Sequence, residues 1–525
     1  MTKTNKINVY FIKDGLDIET EVLKNKCLYC ELCGGTLYYT KRPINIPAWV
    51  SNFFKNEAII ADTFKSASSQ AVFIKKLNIM GQTHSFALAF GNGLYLLKKS
   101  AIVPNFGLKI VLNIVNNKNL KKIDTQNISS VPKHKSEQIT KLGDLKDFGI
   151  DYEADILTGI TGGINKQTEP ELYNTFGTNV TGKDSLSVNV KFDADTVDHF
   201  LETAYIAYTK EDYKNKGFGW IDNISRIPTQ EPLFVRLNCE LDKLLNKPAD
   251  ITDKVWLAVP EIIKWEDIQG FYYKNKKDLK DDISLLDLAE DLTVDKLKQI
   301  KIRALGVLND DILYEWSALE CLYAEVNFNG NVYMFINSNW YQINADFQRE
   351  TDNKFRNILE TGAPDVAWGI YSKNQRENAF NTQLHNNIPG SLCMDAQNIV
   401  YGGGHSEIEF CDVFDHNNGN IIHVKKYAGS SVLSHLFNQA YVSATLFKQS
   451  SEFKQAVIDK IKSKNDHFKF IEKDNYNIIL VILSDKSFEK AQNLPFFSKI
   501  TLNHIISEIN NIKGYSAYVK IIAAQ

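Results

Sequence analysis

The chain has 525 residues and a formal net charge of −3 at pH 7, with 44% hydrophobic and 23% charged residues. This balance excludes a disordered chain, and it excludes a protein that coats polyanions through its overall charge. No apolar run reaches the roughly 18 residues that span a bilayer, and the first residues lack the apolar region of a signal peptide. We therefore predict a cytoplasmic protein without membrane contact.

The length predicts about three domains, because a domain usually holds roughly 100–200 residues. Shifts in pattern along the chain give the boundaries, and the overall class is a multidomain α+β protein. We expect a β-rich α+β domain over 1–145, a mixed α/β domain over 146–325 and a third domain over 326–525.

The first domain is predicted mainly as strands, from alternating or continuous apolar runs between glycines and prolines. These runs are Ile7–Lys13, Thr36–Thr40, Ser68–Lys76, His84–Phe90 and Leu108–Ile114. A short helix is expected over Trp49–Phe54, after Pro47. The polar stretch from Asn116 to Gly143 is interpreted as a linker or mobile loop.

Three of the seven cysteines, Cys27, Cys30 and Cys33, stand in a C-x-x-C-x-x-C pattern. This spacing can supply three thiolates to zinc or an iron–sulfur cluster. No fourth Cys or His follows at a usual distance, so a strand that carries three free thiols is the preferred interpretation. The remaining cysteines are scattered singly, as is typical of a reducing compartment.

The middle domain shows helical periodicity in three segments, Asp195–Thr209, Glu231–Leu245 and Asp278–Gly306. The third domain opens with two strands, Tyr323–Asn327 and Asn331–Ile336, around an Asn329-Gly330 hairpin turn. Its later elements are predicted in the order helix, strands, helix, strand, helix and strand: Lys373–His385, Leu392–Met394, Asn398–Tyr401, Glu407–Phe414, Ile421–Lys426, Ser434–Lys448, Asn477–Leu483, Leu502–Ile512 and Ala517–Ile522.

The best candidate for chemistry is the predicted hairpin of Glu407–Phe414 and Ile421–Lys426. It brings the acidic side chains of Glu409 and Asp412 beside the second strand. On that strand, a period of two places His423 and Lys425 on one face, while Ile422 and Val424 point into a core. A charged hairpin whose lysine simply pairs with an acid is the alternative interpretation.

The flanking helices add further candidates. Glu377 lies on the helix before the hairpin, and His435 and Gln439 lie one helical turn apart on the helix after it. Lys426, Ser430, Ser431 and His435 are the expected contacts for a phosphate backbone, although the two serines would also serve to cap the helix. A hydrolase that uses Ser431 or Ser434 with His435 is a weaker alternative, because no G-x-S-x-G motif supports it.

Acidic residues on one strand and x-x-Lys on the next resemble the PD-(D/E)xK nucleases, and Gln439 and Tyr441 resemble the Gln and Tyr of their RecB-like branch. The resemblance implies a restriction-endonuclease-like α/β domain in which Asp412, Glu409, Glu377 and His423 bind Mg²⁺ or Mn²⁺ and Lys425 assists the attacking water. Asp412, Glu409, Glu377, Lys425 and Gln439 would then be catalytic. The chain departs from the pattern at His423, where Asp or Glu is usual, and imidazole is a poor ligand for Mg²⁺.

Nearly the whole chain also resembles a sporadically distributed bacterial family of uncharacterised proteins of about this length, often borne on mobile elements. The segments that carry this resemblance include PheGlyAsnGly at 90–93, AsnPheGlyLeuLysIleValLeuAsn at 105–113 and SerAsnTrpTyrGlnIle at 338–343. Such patchy inheritance implies defence against phage or foreign DNA. We therefore predict a metal-dependent nuclease that binds nucleic acid, as a monomer or a homo-oligomer. The alternative is a non-catalytic protein that recognises nucleic acid or a partner through an inactive nuclease-like domain.

Overall fold

The computed structural model describes residues 5–24, 26–40, 69–127, 133–191, 194, 196–229, 231–246, 254–288, 291–306, 312–401, 406–427, 429–463, 466–486 and 494–525. The side chains of residues 401, 406, 407, 430 and 431 are not part of this description. The helix expected over Trp49–Phe54 lies outside the described residues. Helices and strands in several separate sheets confirm the α+β class.

The chain divides into two compact units, one of 1–126 and 134–221 and one of 127–133 and 222–525. Among its described residues, the second unit contains one hydrophobic cluster within 227–340 and two others within 355–522. The three-domain division at 145 and 325 stays a prediction.

The first unit is built on one large sheet. Its strands are β1 Asn5–Ile12, β2 Leu28–Leu32, β3 Gly35–Thr40, β4 Gln70–Ile79, β5 Gln82–Gly91, β6 Leu120–Asn127, β7 Lys133–Gly143, β8 Asp155–Gly163, β9 Asn179–Gly182 and β10 Ser185–Val190. They lie in the order β2-β3-β4-β5-β1-β10-β9-β8-β6-β7. Its helices are α1 Phe106–Ile114, α2 Pro170–Phe176 and α3 Val197–Thr209.

Two predictions for this unit are wrong. Leu108–Ile114 belongs to helix α1, in which every residue except Lys109 is buried. A segment that is apolar on all sides has no period that separates helix from strand. The expected linker from Asn116 to Gly143 contains strands β6 and β7. Strand β7 lies at the end of the sheet, where many of its polar side chains face solvent, and its sequence therefore resembles a loop.

The second unit begins with two sheets of antiparallel strands. The strands are β11 Ile224–Arg226, β12 Val255–Leu257, β13 Ile268–Tyr272, β14 Lys301–Gly306, β15 Ile312–Ser317, β16 Leu322–Phe328, β17 Asn331–Ile336 and β18 Asn339–Ile343, with helices α4 Pro232–Leu245 and α5 Val294–Gln299. The predicted hairpin turn is confirmed, with φ of 50° at Asn329 and 78° at Gly330. The predicted long helix over Asp278–Gly306 is wrong. In its described residues this segment holds one single-turn helix, Leu285–Asp287, then α5 and the strand β14.

The rest of the second unit carries the candidate site. Its helices are α6 Ala345–Thr361, α7 Glu377–Asn387, α8 Ser430–Gln449, α9 Ser451–Lys462 and α10 Phe496–Asn511. Its strands are β19 Leu392–Cys393, β20 Asn398–Tyr401, β21 Ser406–Glu409, β22 Val413–Asp415, β23 Asn420–Lys426, β24 Tyr476–Ser484 and β25 Tyr515–Ala523. The sheet order is β19-β22-β23-β24-β25, with β23, β24 and β25 parallel to one another.

Helices cover both faces of this sheet. Ile422 and Val424 pack with Phe380 of α7 on one face, while Ile421 packs with Phe437 of α8 on the other. This alternation follows from the two-residue period of a strand. The predicted strand Glu407–Phe414 is divided in two, because β21 pairs with β20 in a separate sheet and β22 pairs with β23. The break lies between Glu409 and Asp412, the two acids of the predicted hairpin.

Candidate metal centre

Three carboxylates converge where strands β19, β21 and β22 come together. One oxygen each of Asp395, Glu409 and Asp412 lies within 4.8 Å of the other two. Asp395 follows β19, Glu409 ends β21 and Asp412 precedes β22. Oxygen ligands at this spacing suit a hard divalent cation such as Mg²⁺ or Mn²⁺. Among the described residues, this is the group whose carboxylate, imidazole or thiol ligands come close enough to share an ion.

Asp412 is the buried member of this group and is held by protein donors on both oxygens. The Val424 amide donates to Oδ2 at 2.7 Å, and the side-chain amide of Asn381 donates to Oδ1 at 3.1 Å. Burial raises the pKa of Asp412 well above its ordinary value, and the nearby charges of Glu409, Asp395 and Glu377 raise it further. A bound cation would offset this repulsion and favour the ionised carboxylate.

Glu409 is fixed by one backbone and one side-chain contact. The Ala396 amide donates to Oε1 at 2.9 Å, and Nε2 of Gln439 on α8 donates to Oε2 at 2.5 Å. Ala396 has a φ of 56°, which is unusual for a residue with a Cβ atom. This left-handed turn aims the amide at Glu409 while it carries the chain from β19 towards β20.

Glu377 and Lys425 form a second part of the site. Nζ of Lys425 lies 2.8 Å from Oε1 of Glu377, and the Lys426 amide donates to Oε2 at 2.9 Å. Glu377 is the first residue of α7, where a negative charge is stabilised by the helix dipole. Because its carboxylate is engaged by β23 and lies outside the group of three, the direct metal ligation predicted for Glu377 stays a prediction.

Lys425 remains a cation. Burial alone would lower its pKa, but the hydrogen bond and charge of Glu377, with the charges of Asp412 and Glu409, raise the pKa above its ordinary value. A protonated lysine donates hydrogen bonds and offsets negative charge, but it cannot accept a proton. The geometry therefore favours an electrostatic role for Lys425 over that of a general base.

The side chain of His423 contacts α8 and is not part of the group of three carboxylates. Its side chain is fully buried, and Nε2 lies 3.3 Å from the Ser443 hydroxyl on α8. Burial lowers the pKa of His423 to about 3, so the imidazole is neutral at ordinary pH. Nδ1 has no hydrogen-bond partner among the described residues. His423 is not among the residues that converge, and its predicted metal contact stays without geometric support.

The predicted phosphate contacts are dispersed. Nζ of Lys426 lies 2.8 Å from the Asp485 carboxylate, so its charge is already paired. His435 is exposed on α8, and the side chains of Ser430 and Ser431 lie outside the described part of the structure. Ser434, the other serine considered beside His435, is buried.

The three cysteines of the first unit lie along and beside β2 as thiols rather than disulfides. Cys30 is exposed, and Cys27 and Cys33 are partly buried. Within the described ranges they do not come together as a metal-binding group. Alternation along a strand turns neighbouring side chains to opposite faces, and Cys33 lies beyond the end of β2 at a φ of 49°.

Sequence reasoning identified Glu377, Glu409, Asp412, Lys425 and Gln439, and the structure brings these five residues together. It missed Asp395 and Asn381. Asn381 follows Glu377 by four residues, which places both on one face of α7. Asp395 directly follows β19, a short strand that pairs with β22. Recognition of that pairing from the sequence would have placed Asp395 near Asp412.

The fold and site together define an α+β protein with a candidate centre for a divalent cation. The chain belongs to the family of unknown function DUF6119, whose model matches residues 7–523. Comparison with curated proteins and with solved structures found no match. Within the described ranges, no helix combines the length and apolar character needed to cross a membrane.

Proposed function

We propose that this protein is a metal-dependent nuclease of the PD-(D/E)xK type. The observation that carries the proposal is the convergence of Asp395, Glu409 and Asp412 beside the Glu377–Lys425 pair. Carboxylates can hold a divalent cation against a phosphate, and a lysine beside them can offset the charge that develops during hydrolysis. The order of a helix, strands, two helices and a strand from α7 to β24 supports the same class.

The donor set fits Mg²⁺ or Mn²⁺. Asp395, Glu409 and Asp412 would hold the ion, and all three provide oxygen ligands. The bound ion would polarise the scissile phosphate and lower the pKa of a coordinated water. Asn381 is completely buried, and its Oδ1 has no hydrogen-bond partner among the described residues. A buried carbonyl oxygen beside Asp412 is a further acceptor for a water or a cation.

Side chains of this protein would stabilise the developing charge and position the metal ligands. The ammonium of Lys425 would donate to a phosphate oxygen and offset the charge that develops there when water attacks phosphorus and the P–O bond breaks. Glu377 would hold that ammonium in place, Gln439 would orient Glu409 and Asn381 would orient Asp412. With Lys425 protonated, the proton of the attacking water would leave to solvent or to a carboxylate.

The test uses the purified full chain, with Mn²⁺ binding measured by calorimetry and cleavage measured on plasmid DNA and on RNA. We expect Asp395→Asn and Glu409→Gln to weaken Mn²⁺ binding and to abolish cleavage. Asp295→Asn, which removes a carboxylate that is 84% exposed on α5, is the control and leaves both unchanged. Mn²⁺ binding and cleavage that survive in both site variants would contradict the proposal.

A role in defence against phage or foreign DNA is part of the same proposal, and it is supported by the resemblance to a patchily inherited family. Cells that carry the intact gene should resist phage infection, and cells that carry Lys425→Ala should not. Equal plating of phage on both strains, with both proteins expressed, would count against it.

The second candidate is a non-catalytic protein that recognises nucleic acid or a partner. It is favoured by one observation, the neutral, fully buried His423 at the position where the nuclease pattern has an acid. This candidate predicts nucleic-acid binding that weakens with salt but is indifferent to a chelator, without cleavage. Measurements of Mn²⁺ binding and of cleavage distinguish the two candidate functions, because only the nuclease requires the ion.

A further inference from the structure

The first unit carries an unusual edge strand, independent of the proposed metal centre. Strand β2 lies at one end of the large sheet, and each of its five residues is exposed. Leu28, Tyr29 and Leu32 are 49%, 60% and 37% exposed. An edge strand presents unpaired backbone N–H and C=O groups, so an apolar edge is a template for another strand.

The opposite edge of the same sheet is protected in the usual way. Strand β7 carries Lys133, Lys135, Glu137 and Lys141, of which Lys133 and Lys141 are exposed. Charged side chains on an edge strand prevent pairing with another chain. Strand β2 has Glu31 as its one charged residue. The two edge strands therefore differ in the number of charged side chains that would prevent pairing with another chain.

The sequence of β2 is complementary to itself. In an antiparallel pair centred on Cys30, Leu28 lies opposite Leu32 of the second copy and Tyr29 lies opposite Glu31 of the second copy. The first pair is apolar, and in the second a phenol can donate to a carboxylate. No two like charges face each other in this register. Such a pairing has two-fold symmetry, as in most homodimers.

The cavity beside β2 gives the pairing a second contact. A space of about 340 Å³ is lined by Leu32, Leu37, Phe73 and Leu88. Alternation along the strand places Leu28 and Cys30 on the same face as Leu32. In the symmetric pair, Leu28 of the second copy would lie beside Leu32 at this cavity and remove apolar surface from water.

We propose that β2 is a dimerisation strand that pairs in antiparallel orientation with β2 of a second copy of this chain. The pair extends the sheet of each copy across the two-fold axis. A short strand pair buries little area, so the dimer forms and dissociates with concentration.

The test measures the molar mass of the full chain by light scattering over a concentration series. We expect a dimer fraction that rises with concentration. The double variant Leu28→Lys and Leu32→Lys should raise the dissociation constant by at least about tenfold, because lysines then face each other across the axis. Leu142→Lys, at a residue 45% exposed on the opposite edge strand β7, is the matched control and leaves the dimer intact.

Two further measurements keep the result clear if the double variant folds poorly. In a Cys27→Ser/Cys33→Ser background, a short bismaleimide should link two copies through Cys30. The link should be lost when Cys30→Ser is added but kept when Cys239→Ser is added, which removes another exposed thiol. Backbone amides of β2 should exchange faster in dilute than in concentrated protein. A monomer at every concentration would overturn the proposal. So would amides of β2 that are equally protected at both concentrations, since another part of the chain would then cover the strand.

Discussion

The carboxylate of Glu377 on α7 contacts the ammonium of Lys425 on β23 at 2.8 Å, and the same carboxylate accepts the backbone amide of Lys426. One acidic side chain therefore fixes both the charge and the position of the lysine that would face the phosphate. The pair is partly exposed, and its net contribution to folding stability is small, on the order of 1 kcal/mol or less.

Lys425→Ala should therefore affect cleavage far more than stability. We expect a loss of about 100-fold or more in kcat for DNA cleavage, as for removal of one donor to a developing anion. Glu377→Gln should cost less, because Lys425 remains. The matched control is Lys454→Ala, which removes a lysine paired with Glu472 and should leave kcat unchanged. A Lys425→Ala variant that is folded and fully active would remove the catalytic role of this residue.

Asn381→Ala should weaken the site by releasing Asp412. Loss of a hydrogen bond to a buried carboxyl group costs about 1–3 kcal/mol, so the melting temperature should fall, and Mn²⁺ affinity should fall with it. Asn378→Ala, on the exposed side of the same helix, is the control. Asn381→Asp adds a negative charge beside Asp412, and Mn²⁺ should raise its melting temperature more than that of the wild-type protein. An equal shift in both would show that Asn381 lies too far from the ion to act on it.

His423 should make the protein sensitive to mild acid. Burial lowers its pKa to about 3 in the folded state, whereas the unfolded chain titrates near 6.5. Between these values the unfolded state binds a proton that the folded state does not, so the free energy of unfolding falls by up to about 1.4 kcal/mol per pH unit as the pH decreases. Chemical denaturation of wild type and His423→Gln between pH 7 and pH 4 measures the difference. The variant should lose less stability, and parallel curves would show that His423 is accessible to protons when folded.

Ala396→Gly should stabilise the protein. The left-handed conformation of Ala396 costs about 1–2 kcal/mol in a residue with a Cβ atom, and the greater freedom of unfolded glycine offsets part of that. We expect a net gain of about 0.5–1 kcal/mol, with the amide still directed at Glu409. Ala456→Gly in the interior of α9 should instead destabilise by about 1 kcal/mol. A loss of stability in both variants would show that the turn at Ala396 is unstrained.

Much of the second unit could be predicted from the sequence, because its helices and strands carry strong periodic patterns. The segments around α7, β23 and β24 were located to within a few residues. The break between β21 and β22 could not be predicted, since the run from Glu407 to Phe414 contains no glycine or proline that would end a strand. Only pairing with β20 on one side and β23 on the other separates them.

Residues of the site were predictable where local spacing controls their position. Glu377 and Gln439 followed from helical faces and Lys425 from strand alternation. Asp395 was missed because β19 has only two residues, too few to show a period. His423 was predicted to bind the metal because strand alternation does not show which face of a strand a helix will cover. In the structure, α8 covers His423 and places it against Ser443.

The parallel pairing of β23 with β24 determines when the metal centre can assemble during synthesis of the chain. Helices α8 and α9 lie between these strands in the chain, so the pairing closes a long loop, which costs entropy and slows folding. On the ribosome, Lys425 is synthesised well before Ile482, its neighbour in the sheet. We therefore expect nascent chains to lack an assembled centre until the C-terminal strands emerge. Any nuclease activity would then begin only after β24 has been synthesised.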